Sequence, residues 1–183
     1  MAAVTIGAEP RLYQAARTVG SPTIPANAIL WRYTAAWPAA WQPEAVKNGW
    51  RLDASRKVAS DVTMAVFNPG SGDRLYQTAI EVGTRKVITR YTDDGMTWKD
   101  WVVDANPKKA SGNVAMAVFN GRLYQAITQF NALTPSVGKV WTRSCDGTTW
   151  SPWELAGTSA KIGLTLKAAT VNNQTRLYLV VNS

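Results

Sequence analysis

Between Val114 and Leu155 the chain reads as four short segments, apolar or alternating, separated by turn residues. Val114–Asn120 is an apolar run with β-branched and aromatic content. Asn120-Gly121 is a hairpin signal, because the favoured two-residue turn needs positive φ at both central positions. Arg122–Phe130 alternates polar and apolar, the period of a half-buried strand. Residues 131–138 hold Pro135 and Gly138 and predict a loop. Lys139–Arg143 predicts a third strand, Asp146-Gly147 another turn, and Thr149–Leu155 a fourth strand. Pro152 lacks the N–H that a ladder needs, so this last strand is expected at an edge.

The same unit stands earlier in the chain, over Asp61–Asn68, Arg74–Val82, Lys86–Tyr91 and Thr97–Val103. Residues 62–68, Val-Thr-Met-Ala-Val-Phe-Asn, nearly duplicate 114–120, and Asp-Gly-x-Thr-Trp-x-x-Trp occurs at 94–101 and 146–153. Arg-Leu-Tyr starts at Arg11, Arg74, Arg122 and Arg176. A period near 50 residues with strand-like content predicts propeller blades. The first unit is degenerate: Arg11–Thr18 and Ile29–Thr34 match its second and third strands, but residues 35–41 replace the Asp-Gly turn with Ala-Ala-Trp-Pro-Ala-Ala-Trp. The fourth has two predicted strands, Leu164–Val171 and Arg176–Val181. The expected fold is therefore an all-β propeller of four-stranded antiparallel blades, one domain over 1–183. Its repeats are approximately 1–54, 55–105, 110–157 and 160–183, about three and a half blades. Three outcomes follow for the open edge: copies associate as a homo-oligomer that closes a ring, a different subunit packs there, or strands hidden in the first unit complete a small four-bladed monomer.

Composition narrows the chemistry. With 46% hydrophobic and 17% charged residues the chain suits a globular domain. No apolar run approaches the roughly 20 residues of a membrane span, and no basic, apolar leader opens the chain. The expected location is cytoplasmic, or released without a visible signal peptide. There is no histidine and one cysteine, which excludes Ser-His-Asp and Cys-His catalysis, an internal disulfide and the usual zinc sites. No cofactor or metal is expected. Cys145 falls where the matching unit has Asp93 when the two Asp-Gly turns are aligned, so an exposed, non-catalytic thiol is expected. The formal charge of +8 is spread along the chain without a dense Lys/Arg run, which suits acidic surfaces in general and does not point to nucleic acid.

The turns Thr92-Asp-Asp-Gly-Met-Thr-Trp98 and Ser144-Cys-Asp-Gly-Thr-Thr-Trp150 resemble the Asp-box of sialidase-like propellers. The longer pattern, Asn-Gly-Arg-Leu-Tyr-Gln, then Thr-Arg-Ser, then Asp-Gly-Thr-Thr-Trp-Ser-Pro-Trp, is similar to bacterial seven-bladed β-propeller lectins of the Photorhabdus type, best over residues 61–155. The resemblance implies a non-catalytic lectin that takes fucosylated or O-methylated sugars in aromatic pockets between blades.

Nine tryptophans and six tyrosines supply stacking faces for sugar rings. Trp101 and Trp153, the second tryptophan of each turn strand, are candidate ligand residues, as are Trp31 and Trp141 on third strands and Arg90 and Arg143 beside them. Trp37, Trp41 and Trp50 form a further aromatic cluster, a binding patch or an interface anchor. Asp94, Gly95, Trp98, Asp146, Gly147 and Trp150 read as structural: the carboxylate caps turn amides, the glycine takes a conformation closed to other residues, and the indole clamps the hairpin. The carboxylates form no recognisable pair of the kind a glycosidase needs. The expected function is carbohydrate binding (fucosylated, methylated or anionic glycans), with an interaction subunit of a larger assembly as the alternative and a glycoside hydrolase remnant as the remote one.

Overall fold

The structure is a computed structural model that describes residues 2–6, 9–34, 50–106, 108–133, 137–161 and 163–181. The chain is all-β. A first sheet is formed by β1 (Ala2–Ile6), β2 (Glu9–Arg17), β3 (Ile29–Thr34) and β4 (Arg51–Asp53), and a second by β5 (Thr63–Phe67), β6 (Arg74–Ile80), β7 (Val87–Thr92) and β8 (Val102–Val103). A third holds β9 (Ala110–Phe119), β10 (Arg122–Gln129), β11 (Val137–Cys145) and β12 (Glu154–Lys161), and a final hairpin pairs β13 (Leu164–Val171) with β14 (Gln174–Val181). Every neighbour within these sheets is antiparallel.

The predicted strands of the second and third units and the last hairpin are present. β1 and β4 complete the first sheet, where the sequence showed only β2 and β3; β4 is three residues long, too short to carry a period of its own. The predicted turn replacement at 35–41, with Trp37 and Trp41, lies outside the described residues. The fourth strands start later than expected, at Val102 and Glu154; the Trp-x-x-Trp segments before them touch the third strands only at isolated points, the Lys99 amide donating to the Tyr91 carbonyl and the Ser151 amide to the Ser144 carbonyl. Two one-residue shifts, between Gly138 and Val140 and between Val140 and Trp141, accommodate β12 beside β11.

Registers of the three sheets superpose. Leu12, Leu75 and Leu123 face Thr34, Thr92 and Cys145, and Gln14, Gln77 and Gln125 face Arg32, Arg90 and Arg143. This register corrects the expectation for Cys145. The second sheet has one extra turn residue, Asp93, so Cys145 corresponds to Thr92 and not to Asp93. Cys145 is 3% exposed, its Sγ accepts a hydrogen bond from the Gly147 amide, and the Thr92 hydroxyl accepts one from Gly95 in the same way. Burial pushes the thiol pKa up, which suppresses the reactive thiolate.

Consecutive sheets pack face to face in chain order. Ile29, Ala79, Ile88 and Trp101 join the first and second sheets, with Tyr13, Trp31 and Leu75 at the other end of the joint. Ile80, Val87, Val114 and Ile127, with Tyr76 and Leu123, join the second and third. Ala126 and Val140 meet Leu164 and Leu166 of the hairpin. Leu75, Ile88, Leu123 and Ile127 are wholly buried, and burying each such side chain stabilises the fold by about 1.5–3 kcal/mol. The arrangement is loosely propeller-like; among the described residues nothing closes the series into a ring.

Candidate functional site

The repeated motif builds a joint between sheets, and a cleft opens over each joint. The Arg-Leu-Tyr strand grips the turn of the following sheet. Arg11 donates to the Asp94 carbonyl at 3.0 Å, Tyr13 donates to the Gly95 carbonyl at 3.1 Å, and Arg74 donates to the Gly147 carbonyl at 3.1 Å. The turns are held as their residue types demand. Asp94 Oδ1 accepts from the Met96 and Thr97 amides at 2.8 and 2.7 Å, and Asp146 Oδ1 from the Thr148 and Thr149 amides at 2.9 Å each. Gly147 takes φ of 106° at a point where an added Cβ would lie 2.1 Å from Pro69 of the neighbouring sheet.

Under each cleft lies the same polar latch. Arg90 Nε donates to Gln77 Oε1 at 3.0 Å, and its guanidinium pairs with Asp53 of the preceding sheet at 2.5 Å. It lies between the rings of Trp98 and Trp101, at 4.6 and 4.4 Å from their centroids. Arg143 repeats this with Gln125, with Asp104 at 3.1 Å, and between Trp150 and Trp153 at 4.4 Å each. Trp101 and Trp153 donate their indole N–H to the same aspartates, at 3.4 and 2.7 Å. Both arginines are 7% exposed. Burial pushes Arg90 down to about 10 against the pull of Asp53, and it lowers Arg143 against Asp104; both stay charged at neutral pH. After the third sheet's Trp153 the chain continues Glu-Leu-Ala156-Gly157, so the latch carboxylate is missing from that register.

The candidate ligand residues separate in space. Trp101 and Trp153, 8% and 6% exposed, hold their faces against the buried arginines. Trp31 and Trp141 do not share a repeat position: Trp31 faces Ala15 in register and corresponds to Thr89, whereas Trp141 faces Ile127 and corresponds to Ile88. A shift of one residue turns a strand's side chain to the opposite face. Trp31 lines the first cleft; Trp141 instead donates to Gln129 at 2.9 Å, with the Lys108 ammonium 3.3 Å from its ring centroid. Trp50 is the first sheet's counterpart of Trp101, with Arg32 at 4.4 Å from its ring. Asp53 and Asp104 are site residues that the motif reading missed; the signal was Trp-x-x-Asp at 50–53 and again at 101–104.

The cleft between first and second sheets has a volume of about 740 Å³ and is floored by Trp31, Arg90 and Trp101. Its rim is polar and charged: Arg51, Ser55, Thr97, Lys99 and Asp100. The equivalent cleft between second and third sheets, about 540 Å³, substitutes Val102 for Arg51 and Thr89 for Trp31 and is lined by Tyr91, Val103 and Trp150. Identical latches thus carry different walls: the first offers hydrogen-bonding groups over aromatic edges, the second a mainly apolar slot. Among the described residues no three potential ligands gather for a metal ion, and no helix is long and apolar enough to cross a membrane.

The latch carboxylate Asp53 and the turn carboxylates Asp94 and Asp146 make the joints acid-sensitive. Burial pushes Asp53 up, but the Ser55 hydrogen bonds and the Arg90 charge outweigh it and leave it below the usual carboxylate range. Burial also pushes Asp94 up, but the Thr97 and Met96 amides and the Thr92 hydroxyl hold it far below that range. The Thr149 and Thr148 amides lower Asp146 to about 2. The native state therefore binds fewer protons than the unfolded chain, whose carboxylates titrate near about 3.9. Their stabilisation is complete above that value and is lost as pH falls through the depressed native values. Denaturant midpoints should stay level on acidification from neutrality to about pH 5 and drop below about pH 4.

No family model matches the chain, and no curated protein matches it. A solved structure of a fucose lectin from Kordia zhangzhouensis, in complex with methyl-fucoside, is similar to it, with a TM-score of 0.50 and 14% sequence identity over 85% of this chain and 97% of that one. At this identity the likeness concerns the fold.

Proposed function

We propose that this protein is a non-catalytic, lectin-like carbohydrate-binding module of the propeller type whose ligand sits in the cleft between the first and second sheets. The observation that carries the reading is that cleft itself, where Trp31, Trp98 and Trp101 lie beneath Arg51, Lys99 and Asp100 in a space of about 740 Å³, large enough for one or two sugar rings. Aromatic edges take the apolar C–H surface of a sugar, and the rim groups take its hydroxyls. The fold likeness to a fucose lectin supports the same class. Fucosylated, O-methylated or anionic sugars are the candidates, the last favoured by the two cations on the rim. Of the carboxylates lining the cleft, Asp53 is engaged by Arg90 and Trp101, leaving Asp100 without the partner acid that glycosidic cleavage uses. Glycan-array screening followed by calorimetry is the test. Arg51→Ala with Lys99→Ala should weaken the best ligand roughly tenfold or more, the loss of two charge-assisted hydrogen bonds, while leaving stability unchanged. Silence across all three sugar classes would remove the reading.

A second reading, an interaction subunit or self-associating propeller, is favoured by the β13–β14 hairpin. Tyr178 is 37% exposed, whereas its counterparts Tyr13 and Tyr76, each covered by the following sheet, are 1% and 3% exposed. Light scattering should give a mass above one chain, reverting to one chain in Tyr178→Glu. A single-chain mass at every concentration would reject it.

A further inference from the structure

The topology sends six connections to one end of the sheets: the β2–β3, β6–β7 and β10–β11 loops and the three links between successive sheets. Backbone hydrogen bonds stitch the first five of them in chain order into one surface. Val58 donates to the Asn27 carbonyl, Val82 to Lys57, Ala110 to Arg85, and Phe130 to Lys109, all between 2.7 and 2.9 Å. On this surface each full sheet raises one aliphatic side chain from its second connection: Val19 is 94% exposed, Val82 40% and Leu133 91%. No other large apolar side chain among the described residues is as exposed as Val19 and Leu133.

These tips are built, not frayed. The Thr18 hydroxyl donates to the Pro25 carbonyl and accepts from the Ala28 amide, which fixes the base of the Val19 loop, and Ser21 and Ile24 exchange backbone hydrogen bonds within it. The Leu133 amide donates to Asn131 Oδ1 at 3.0 Å. The charge around the tips is one-sided. Arg17, Lys57, Lys109 and Lys139 are exposed there. The acids at this end are mostly neutralised: Asp53 by Arg90, Asp104 by Arg143, and Glu81 by Arg56 at 2.7 Å. Asp61 is the one exposed acid among the described residues of these connections.

From this placement we infer that the loop end of the sheets docks on an anionic lipid surface, with Val19, Val82 and Leu133 entering the headgroup region and Lys57, Lys109, Arg17 and Lys139 facing the lipid phosphates. Exposed aliphatic tips on the same end as exposed cations suit a bilayer, where both groups gain. A soluble polyanion engages the cations alone and leaves the aliphatic tips in water. The inference is independent of the carbohydrate reading.

Sedimentation with vesicles tests it. The protein should bind phosphatidylcholine vesicles carrying about a third phosphatidylserine, should leave pure phosphatidylcholine vesicles free, and should be released as salt rises. Lys57→Ala with Lys109→Ala should weaken partitioning roughly 25-fold, at roughly fivefold per charge. Val19→Ser with Leu133→Ser should weaken it roughly tenfold or more, with an unchanged melting temperature because both side chains lie in solvent. Equal binding to neutral and anionic vesicles, or none to either, would overturn the inference. So would retention on heparin or single-stranded DNA with vesicle binding indifferent to the Val19 and Leu133 substitutions, which would reassign the surface to a soluble polyanion.

Discussion

Arg90→Ala should lower the stability of the folded chain by about 3–5 kcal/mol, the range for removing one partner of a buried ion pair. The substitution strips Asp53 of its counter-charge, leaves Gln77 Oε1 without its donor, and opens the space between Trp98 and Trp101. Denaturant unfolding measures it directly, and a chain of this size should melt roughly 10 °C lower. Two controls distinguish a latch from mere bulk. Arg90→Met combined with Asp53→Leu should recover much of the loss, because no charge is then left buried alone. Asp93→Asn breaks the Arg74–Asp93 pair, whose aspartate is 52% exposed, and should change stability by less than about 1 kcal/mol. Equal losses from Asp93→Asn and Arg90→Ala would refute the latch.

Gly147→Ala is expected to cost about 2–5 kcal/mol, through two separate penalties. Its φ of 106° is closed to residues with a side chain, and the new methyl would meet Pro69 at 2.1 Å; strain of the first kind and overpacking of the second each run to about 1–3 kcal/mol. Pro69 sits in the loop between β5 and β6, so relief requires the second and third sheets to part at their turn end, where Arg74 also reaches the Gly147 carbonyl. Gly121→Ala is the matched control: its φ is 67° and nothing lies within 4 Å of the added Cβ, so only about 1 kcal/mol should be lost. Similar losses at both positions in equilibrium unfolding would show that the close approach to Pro69 does not matter.

Much of the architecture was legible because the chain states it more than once. The duplicate at 62–68 and 114–120, the Arg-Leu-Tyr strands and the Asp-Gly turns gave the all-β units, and the interior strands lie where the alternation put them. What escaped was register. Aligning the Asp-Gly turns set Cys145 against Asp93 and implied an exposed thiol, whereas the ladder sets it against Thr92, because one inserted residue is absorbed in the turn and not in the strand. Likewise Trp31 and Trp141 both read as third-strand tryptophans, yet period two sends them to opposite faces. Asp53 and Asp104 escaped for a different reason. Each acts on a residue in the next sheet, 37 or 39 positions further along, and a local pattern carries no sign of such a partner. Arg90, Arg143, Trp101 and Trp153 owe their recurrence to this latch, which holds them below the clefts, whereas Trp31 and Trp141 lie outside it; Arg51 and Lys99, which the proposed function turns toward a ligand, belong to positions that vary between units.

The absence of a latch carboxylate at Ala156 gives the chain a direction of failure. Two neighbouring pairs of sheets are pinned by charge, while the last hairpin is held to its neighbour by the apolar cluster around Leu164 and Leu166 and by Asn113, which hydrogen-bonds the Leu164 backbone, without a buried ion pair among the described residues. In mild denaturant, amide protons of β13 and β14 should exchange first and those of β6 and β10 last. Opening would then propagate from the C-terminal side as a peeling front, with the two pinned joints acting as successive stops.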